Sequence, residues 1–213
     1  MEYKELPEVL KDFIKQSDVL VFEGFDMVGK SHLLSQVYEE LEYHTNKGTF
    51  KYRPDWEGCL STNVVSRGNR YIPGIVLLDI WKSVIKSTYS QPKLLIDRWL
   101  AVSYVYSVLY DQKSDSKSSQ DLIKAHVDAV GDLELTFIYK CHKDKNEAWR
   151  LYELANADSD HEDEYDKFDN FDRYYETYQL AHSLYMDFFR NLDKFKVVVI
   201  SSLDNEILEV ING

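Results

Sequence analysis

Short apolar runs punctuate the chain: VLVF at Val19–Phe22, KLLI at Lys93–Ile96, LELTFIY at Leu133–Tyr139, FKVVVI at Phe195–Ile200, and a weaker one at Thr49–Tyr52. They are largely continuous rather than alternating, which predicts strands covered on both faces. Between them, apolar residues recur at steps of three or four, predicting helices over Lys30–Tyr43, Ile75–Ser87, Leu100–Tyr110, Gln120–Val130, Asn146–Ala155 and Phe171–Asn191. The last carries Phe171, Tyr174, Tyr178, Ala181, Tyr185 and Phe188 as a core-facing stripe. Strand–helix alternation through the whole chain predicts parallel strands joined by helical crossovers, an α/β domain of three layers spanning 1–213. Two stretches fall outside the pattern. Asp111–Ser119 reads as a solvated loop, and Asp158–Asp172 holds eight acidic residues and one lysine, too charged for a packed core.

Residues 19–34, VLVFEGFDMVGKSHLL, add chemistry to the pattern. Gly24, Gly29, Lys30 and Ser31 satisfy G-x-x-x-x-G-K-[ST], with an apolar strand before them and an apolar-periodic helix after. Glycines let backbone N–H groups turn inward around a phosphate, and the helix N-terminus adds partial positive charge. The loop, Gly24, Phe25, Asp26, Met27, Val28, Gly29, Lys30, Ser31 and His32, is therefore the candidate ATP-binding segment. In it Lys30 reaches the β- and γ-phosphates and the Ser31 hydroxyl holds Mg²⁺.

A carboxylate at the end of a neighbouring strand is expected to assist the metal, and Asp97, closing LLID, supplies it. Arg98 follows at once. Asp26, an acid inside a polyphosphate loop, reads as facing the acceptor, and Arg53 in KYRPD is a candidate clamp for an acceptor phosphate.

Composition narrows the partners. A net charge of −12 argues against a broad basic face for nucleic acid. A polar N-terminus and the lack of any long apolar run predict neither secretion signal nor membrane span. Cys59 and Cys141 stand far apart, consistent with a cytoplasmic chain, and Cys141-His142 reads as a strand-end thiol beside a surface histidine.

Taken together, Phe22-Glu23-Gly24-x-Asp26-x-x-Gly29-Lys30-Ser31 resembles the FEGxDxxGK[ST] opening of thymidylate kinases. Asp97-Arg98-Trp99 with Tyr106 looks like that family's DR-aromatic motif, Arg53-Pro54 is similar to its segment after the second strand, and residues 163–181 resemble its lid and following helix. The resemblance implies a P-loop nucleoside monophosphate kinase fold with a five-stranded parallel sheet, a mobile lid near 156–170, and a homodimer. It implies transfer of the γ-phosphoryl of ATP, with Mg²⁺, to a small nucleotide acceptor such as dTMP. Lys30, Asp97 and Arg98 would be catalytic; Asp26, Arg53, Trp81 (or Tyr71), Arg98 and Tyr106 would bind the acceptor.

One departure stands out. The family places an arginine in the loop or the lid, whereas this chain has Met27-Val28 and Glu164 there. Arg150, Lys167 and Arg173 are the candidate replacements. A kinase of a deoxynucleoside or of a modified base in DNA, and a nucleotide-binding protein without kinase activity, remain alternatives at this point.

Overall fold

The computed structural model describes residues 6–45, 49–52, 83, 93–110, 124, 127–128, 130–157 and 170–212. Five strands lie parallel: β1 (Val19–Glu23), β2 (Thr49–Tyr52), β3 (Lys93–Asp97), β4 (Leu135–Cys141) and β5 (Lys196–Ser201). A sixth, β6 (Ile207–Ile211), pairs antiparallel with β5, giving the order β2-β3-β1-β4-β5-β6. The expected five-stranded parallel sheet is thus corrected to six strands with an antiparallel edge. ILEVI was missed because it is an edge strand: its burial runs half-buried, three exposed, half-buried, unlike the solid apolar runs of the centre.

The helices are α1 (Glu8–Gln16), α2 (Lys30–Thr45), α3 (Leu100–Tyr110), α4 (Lys145–Ala157) and α5 (Phe171–Arg190). The helix α1 was not among those expected. It hangs on Leu10 and Ile14, each almost wholly buried and each contributing on the order of 2 kcal/mol by burial. The strand expected at Leu133–Tyr139 runs two residues later, and Ser83, Lys124, Val127, Asp128 and Val130 are helical, inside two predicted helices.

Successive strand residues point to opposite faces and meet different cores. Leu20, Phe22, Leu95, Ile138, Val198 and Ile200 join Leu10 and Ile14 of α1 and Leu33, Leu34 and Val37 of α2. Val19, Val21, Leu94, Ile96, Phe137, Tyr139, Val197 and Val199 join α3 and the α5 stripe. The second core is strongly aromatic, and Tyr185 and Phe189 of α5 lie 4.9 and 5.3 Å from the Tyr139 ring.

Both faces being covered, the open end of the sheet is the carboxyl end of the strands, where β3, β1 and β4 deliver Asp97, Glu23 and Lys140 side by side. Among the described residues no helix is long and apolar enough to cross a membrane.

Candidate functional site

The loop between β1 and α2 needs its glycines. Gly24 has φ 145°, and a Cβ there would stand 2.4 Å from the Lys140 carbonyl oxygen, so no other residue fits. Gly29 turns into α2 at φ 75°. The first turn of α2 has no acidic residue, which keeps its N-terminal partial charge available to an anion. The Phe25 and Val28 side chains are wholly buried, Phe25 packing 5.9 Å from Tyr106 and 6.1 Å from Tyr174. These two loop positions therefore present only their backbone to anything bound at the loop. Ser31 and His32 are exposed at the helix start.

Four described residues other than glycine have φ in the left-handed region, and two of them are asparagines that tolerate it. The other two are Met27 (φ 62°) and Arg98 (φ 65°), both at this site. Backbone held in that region by its surroundings concentrates at functional sites. At Arg98 the turn has a visible result. Its N–H stays bonded to Phe22 O at 2.9 Å, while the guanidinium swings back to Asp26 Oδ1 at 2.6 Å. The Tyr106 hydroxyl donates to Asp26 Oδ2 at 2.7 Å. Arg98 and Tyr106 thus converge on the carboxylate of Asp26, all three residues assigned to the acceptor from sequence. Burial alone would raise the Asp26 pKa, but the Arg98 and Lys30 charges and the two hydrogen bonds outweigh it and hold it well below the carboxylate range.

Glu23 had no assigned role in the sequence beyond matching a motif. It is fully buried and accepts the N–H groups of Trp99 at 2.7 Å and Val102 at 3.2 Å, so it clamps the start of α3 to the end of β1. Burial pushes its pKa up to about 7 against those bonds and the nearby Arg98 and Lys30 charges. Lys30, also buried, donates to Phe25 O at 2.8 Å within its own loop. Burial and the Arg98 charge lower its pKa to about 7, with Asp26, Asp97 and Glu23 acting the other way. Asp97 is buried at the strand end and paired in register with Phe22.

Asp97 and Ser31 are hard oxygen donors, and two protein oxygens completed by phosphate and water suit Mg²⁺ better than a closed protein cage. Among the described residues no group of three or more His, Cys, Asp or Glu could hold a metal by itself.

On the β4 side the structure supplies what sequence reading missed. Lys140, almost wholly buried, donates to Gly29 O at 3.3 Å, and burial lowers its pKa to about 8. A lysine ending the apolar run LTFIYKC, at the strand end beside the loop, was the available signal. His142 is buried rather than on the surface, because α5 closes over the strand end. Its Nδ1 lies 2.7 Å from Ser202 Oγ and its Nε2 2.7 Å from the Tyr174 hydroxyl, which donates to Asp26 O at 3.1 Å. One arrangement satisfies all three: Ser202 donates to Nδ1, Nε2–H to Tyr174, and Tyr174 to the loop. Burial and the His182 and Lys140 charges lower the His142 pKa to about 3. Its neighbour Cys141 is a free, buried thiol raised to about 12 by burial and nearby acids, with no reactive character.

Of the replacement cations, Arg150 on α4 and Arg173 at the start of α5 are exposed. Arg53, Tyr71, Trp81 and Lys167, together with most of the expected lid, lie outside the described residues.

No protein-family model matches the sequence, nor does any curated protein. The structure is similar to thymidylate kinase from Ehrlichia chaffeensis (15% identity over 89% of this chain and 91% of that one, TM-score 0.45) and from Candida albicans (13%, 87% and 84%, 0.44). It is also similar to polyphosphate kinase 2 from Arthrobacter aurescens (12%, 84% and 63%, 0.48).

Proposed function

We propose that the chain is a Mg²⁺-dependent kinase that moves the γ-phosphoryl of ATP to a deoxynucleoside monophosphate resembling dTMP. The observation that carries the reading is the convergence of Arg98, Tyr106 and Lys30 charge on Asp26, inside a phosphate loop and beside a buried strand-end carboxylate. A loop that bound only a donor would have no use for an acid held ionised among its phosphates. Facing a second substrate, Asp26 orients Arg98 for an acceptor phosphate and offers an acceptor to a sugar hydroxyl.

Lys30 and the α2 N-terminus hold the donor polyphosphate. Ser31 and Asp97 would hold Mg²⁺ beside the donor phosphates, and the ion would supply positive charge to the oxygens of the group being transferred. Arg98 holds the acceptor so that its phosphate oxygen lies in line with the γ-phosphorus; the resemblance assigns Arg53 to the same phosphate and Trp81 (or Tyr71) to the base, all three outside the described residues. The new bond forms between that oxygen and the γ-phosphorus as the β–γ bridging bond breaks, leaving ADP.

The test is incubation with ATP and Mg²⁺ against each deoxynucleoside monophosphate, each deoxynucleoside and a modified-base oligonucleotide, following ADP and phosphorylated product. Turnover with monophosphates, lost in Lys30→Ala and Asp97→Ala, is the expected result. Transfer only to a nucleoside or to DNA moves the acceptor assignment. ATP binding without transfer to any acceptor overturns the kinase.

A further inference from the structure

Lys140 lies along the phosphate loop from end to end. Its carbonyl oxygen is packed against the Gly24 α-carbon, and its Nζ stands 3.5 Å from where a Cβ on Gly29 would sit. It is 2% exposed, and among the described residues its ammonium donates only to Gly29 O, at 3.3 Å, and forms no ion pair. That bond is no sufficient reason for burying a charge, since Gly29 O already accepts the Leu33 N–H at 3.2 Å as the first rung of α2. Two carboxylates, Glu147 and Asp204, act on Lys140 only from a distance, and neither forms an ion pair with it. Glu147 accepts from Ser201 Oγ, Leu203 N and Lys143 N, and Asp204 accepts from Glu206 N. By contrast Lys143, three residues on, is half-exposed and paired with Glu206.

A buried ammonium without a counter-ion costs stability unless something anionic arrives to meet it. We propose that Lys140 is a second lysine of the donor site, its ammonium binding the polyphosphate of the nucleotide from the β4 flank of the loop. This rests on the reading of the loop as a donor site and adds to it a residue from β4. It supplies a cation at the loop of a chain whose loop positions Met27 and Val28 carry none.

The test is calorimetric titration of ADP, adenosine and inorganic pyrophosphate into the wild type, Lys140→Met, Lys140→Arg and Lys30→Met, with melting of each protein free of nucleotide. Lys140→Met is expected to weaken ADP and pyrophosphate by roughly tenfold or more, the worth of a charge-assisted hydrogen bond, and to leave adenosine unchanged. Lys140→Arg restores most of the ADP affinity. Free of nucleotide, Lys140→Met melts at or above the wild type, because an apolar chain of similar length replaces an unpaired charge. ADP bound equally by Lys140→Met and wild type, with binding lost in Lys30→Met, overturns the proposal while the donor site stands. A lower melting point, with ADP and adenosine weakened alike, makes Lys140 a structural tie and also overturns it. A wild type that binds neither ADP nor pyrophosphate removes the donor-site reading and this one with it.

Discussion

β1 ends between β3 and β4, and the two flanks of its loop handle charge differently. Toward β3, the charges are matched: Asp26 meets Arg98 and Tyr106, and Glu23 takes two backbone N–H groups. Toward β4, Lys140 is buried beside the loop without an ion pair among the described residues, while His142 is neutral in a chain of hydroxyls. A flank that is already satisfied is rigid and fixes where a ligand must sit. A flank with an uncompensated cation becomes satisfied only when a ligand brings the missing charge. On the proposed reading, the first arrangement orients the acceptor and the second holds the donor.

The largest effect is expected at Lys30, which lies in the loop among Asp26, Asp97 and Glu23. Lys30→Ala is expected to lower phosphotransfer by about a thousandfold with folding retained, read from initial rates beside a circular-dichroism melt.

Titration separates the flanks with opposite signs. On the β4 side, His142 binds its proton less readily folded (about 3) than at its ordinary 6.5. The unfolded chain therefore takes up more protons between those values, and stability falls as pH drops from 6.5 toward 3. His142 contributes roughly 4 kcal/mol to that fall, and His142→Gln flattens it in denaturant titrations across the range.

On the β3 side, Glu23 holds its proton more firmly folded (about 7) than at its ordinary 4.5. Here the folded chain binds more protons, so this contribution is fully present below 4.5 and is lost as pH rises to 7. The expected loss is roughly 3 kcal/mol, and Glu23→Gln removes the pH dependence while giving up one of the two N–H bonds. A Glu23→Gln profile identical to wild type over pH 4.5–7 would remove the clamp from the account.

Asp26→Asn leaves Arg98 without its counter-ion in a pair whose side chains are about a quarter exposed. Roughly 2 kcal/mol of stability goes with it, and the acceptor KM rises more than the ATP KM. The smallest effect is the control away from both flanks. Lys145 and Asp172 pair at 3.2 Å with both side chains mostly exposed, so Lys145→Ala changes stability by less than about 1 kcal/mol.

The loop, its flanking strand and helix, Asp97-Arg98 and the five parallel strands were legible in the amino-acid sequence because each is a local pattern. Glycine spacing, unbroken apolar runs and a 3.6-residue stripe record constraints between near neighbours. The antiparallel edge strand was not legible, since a half-exposed pentapeptide carries little apolar signal. Nor were the roles of Glu23, Lys140 and His142. Each depends on a partner 32 to 111 residues away, and burial turns an ordinary Glu, Lys or His into a clamp, a buried cation or a neutral relay. Sequence alone determined the strand–loop–helix turn and the glycines that shape it. Only the packing of β3, β4 and α5 around that turn decided which charges meet, because desolvation and pairing are properties of the assembled strand ends.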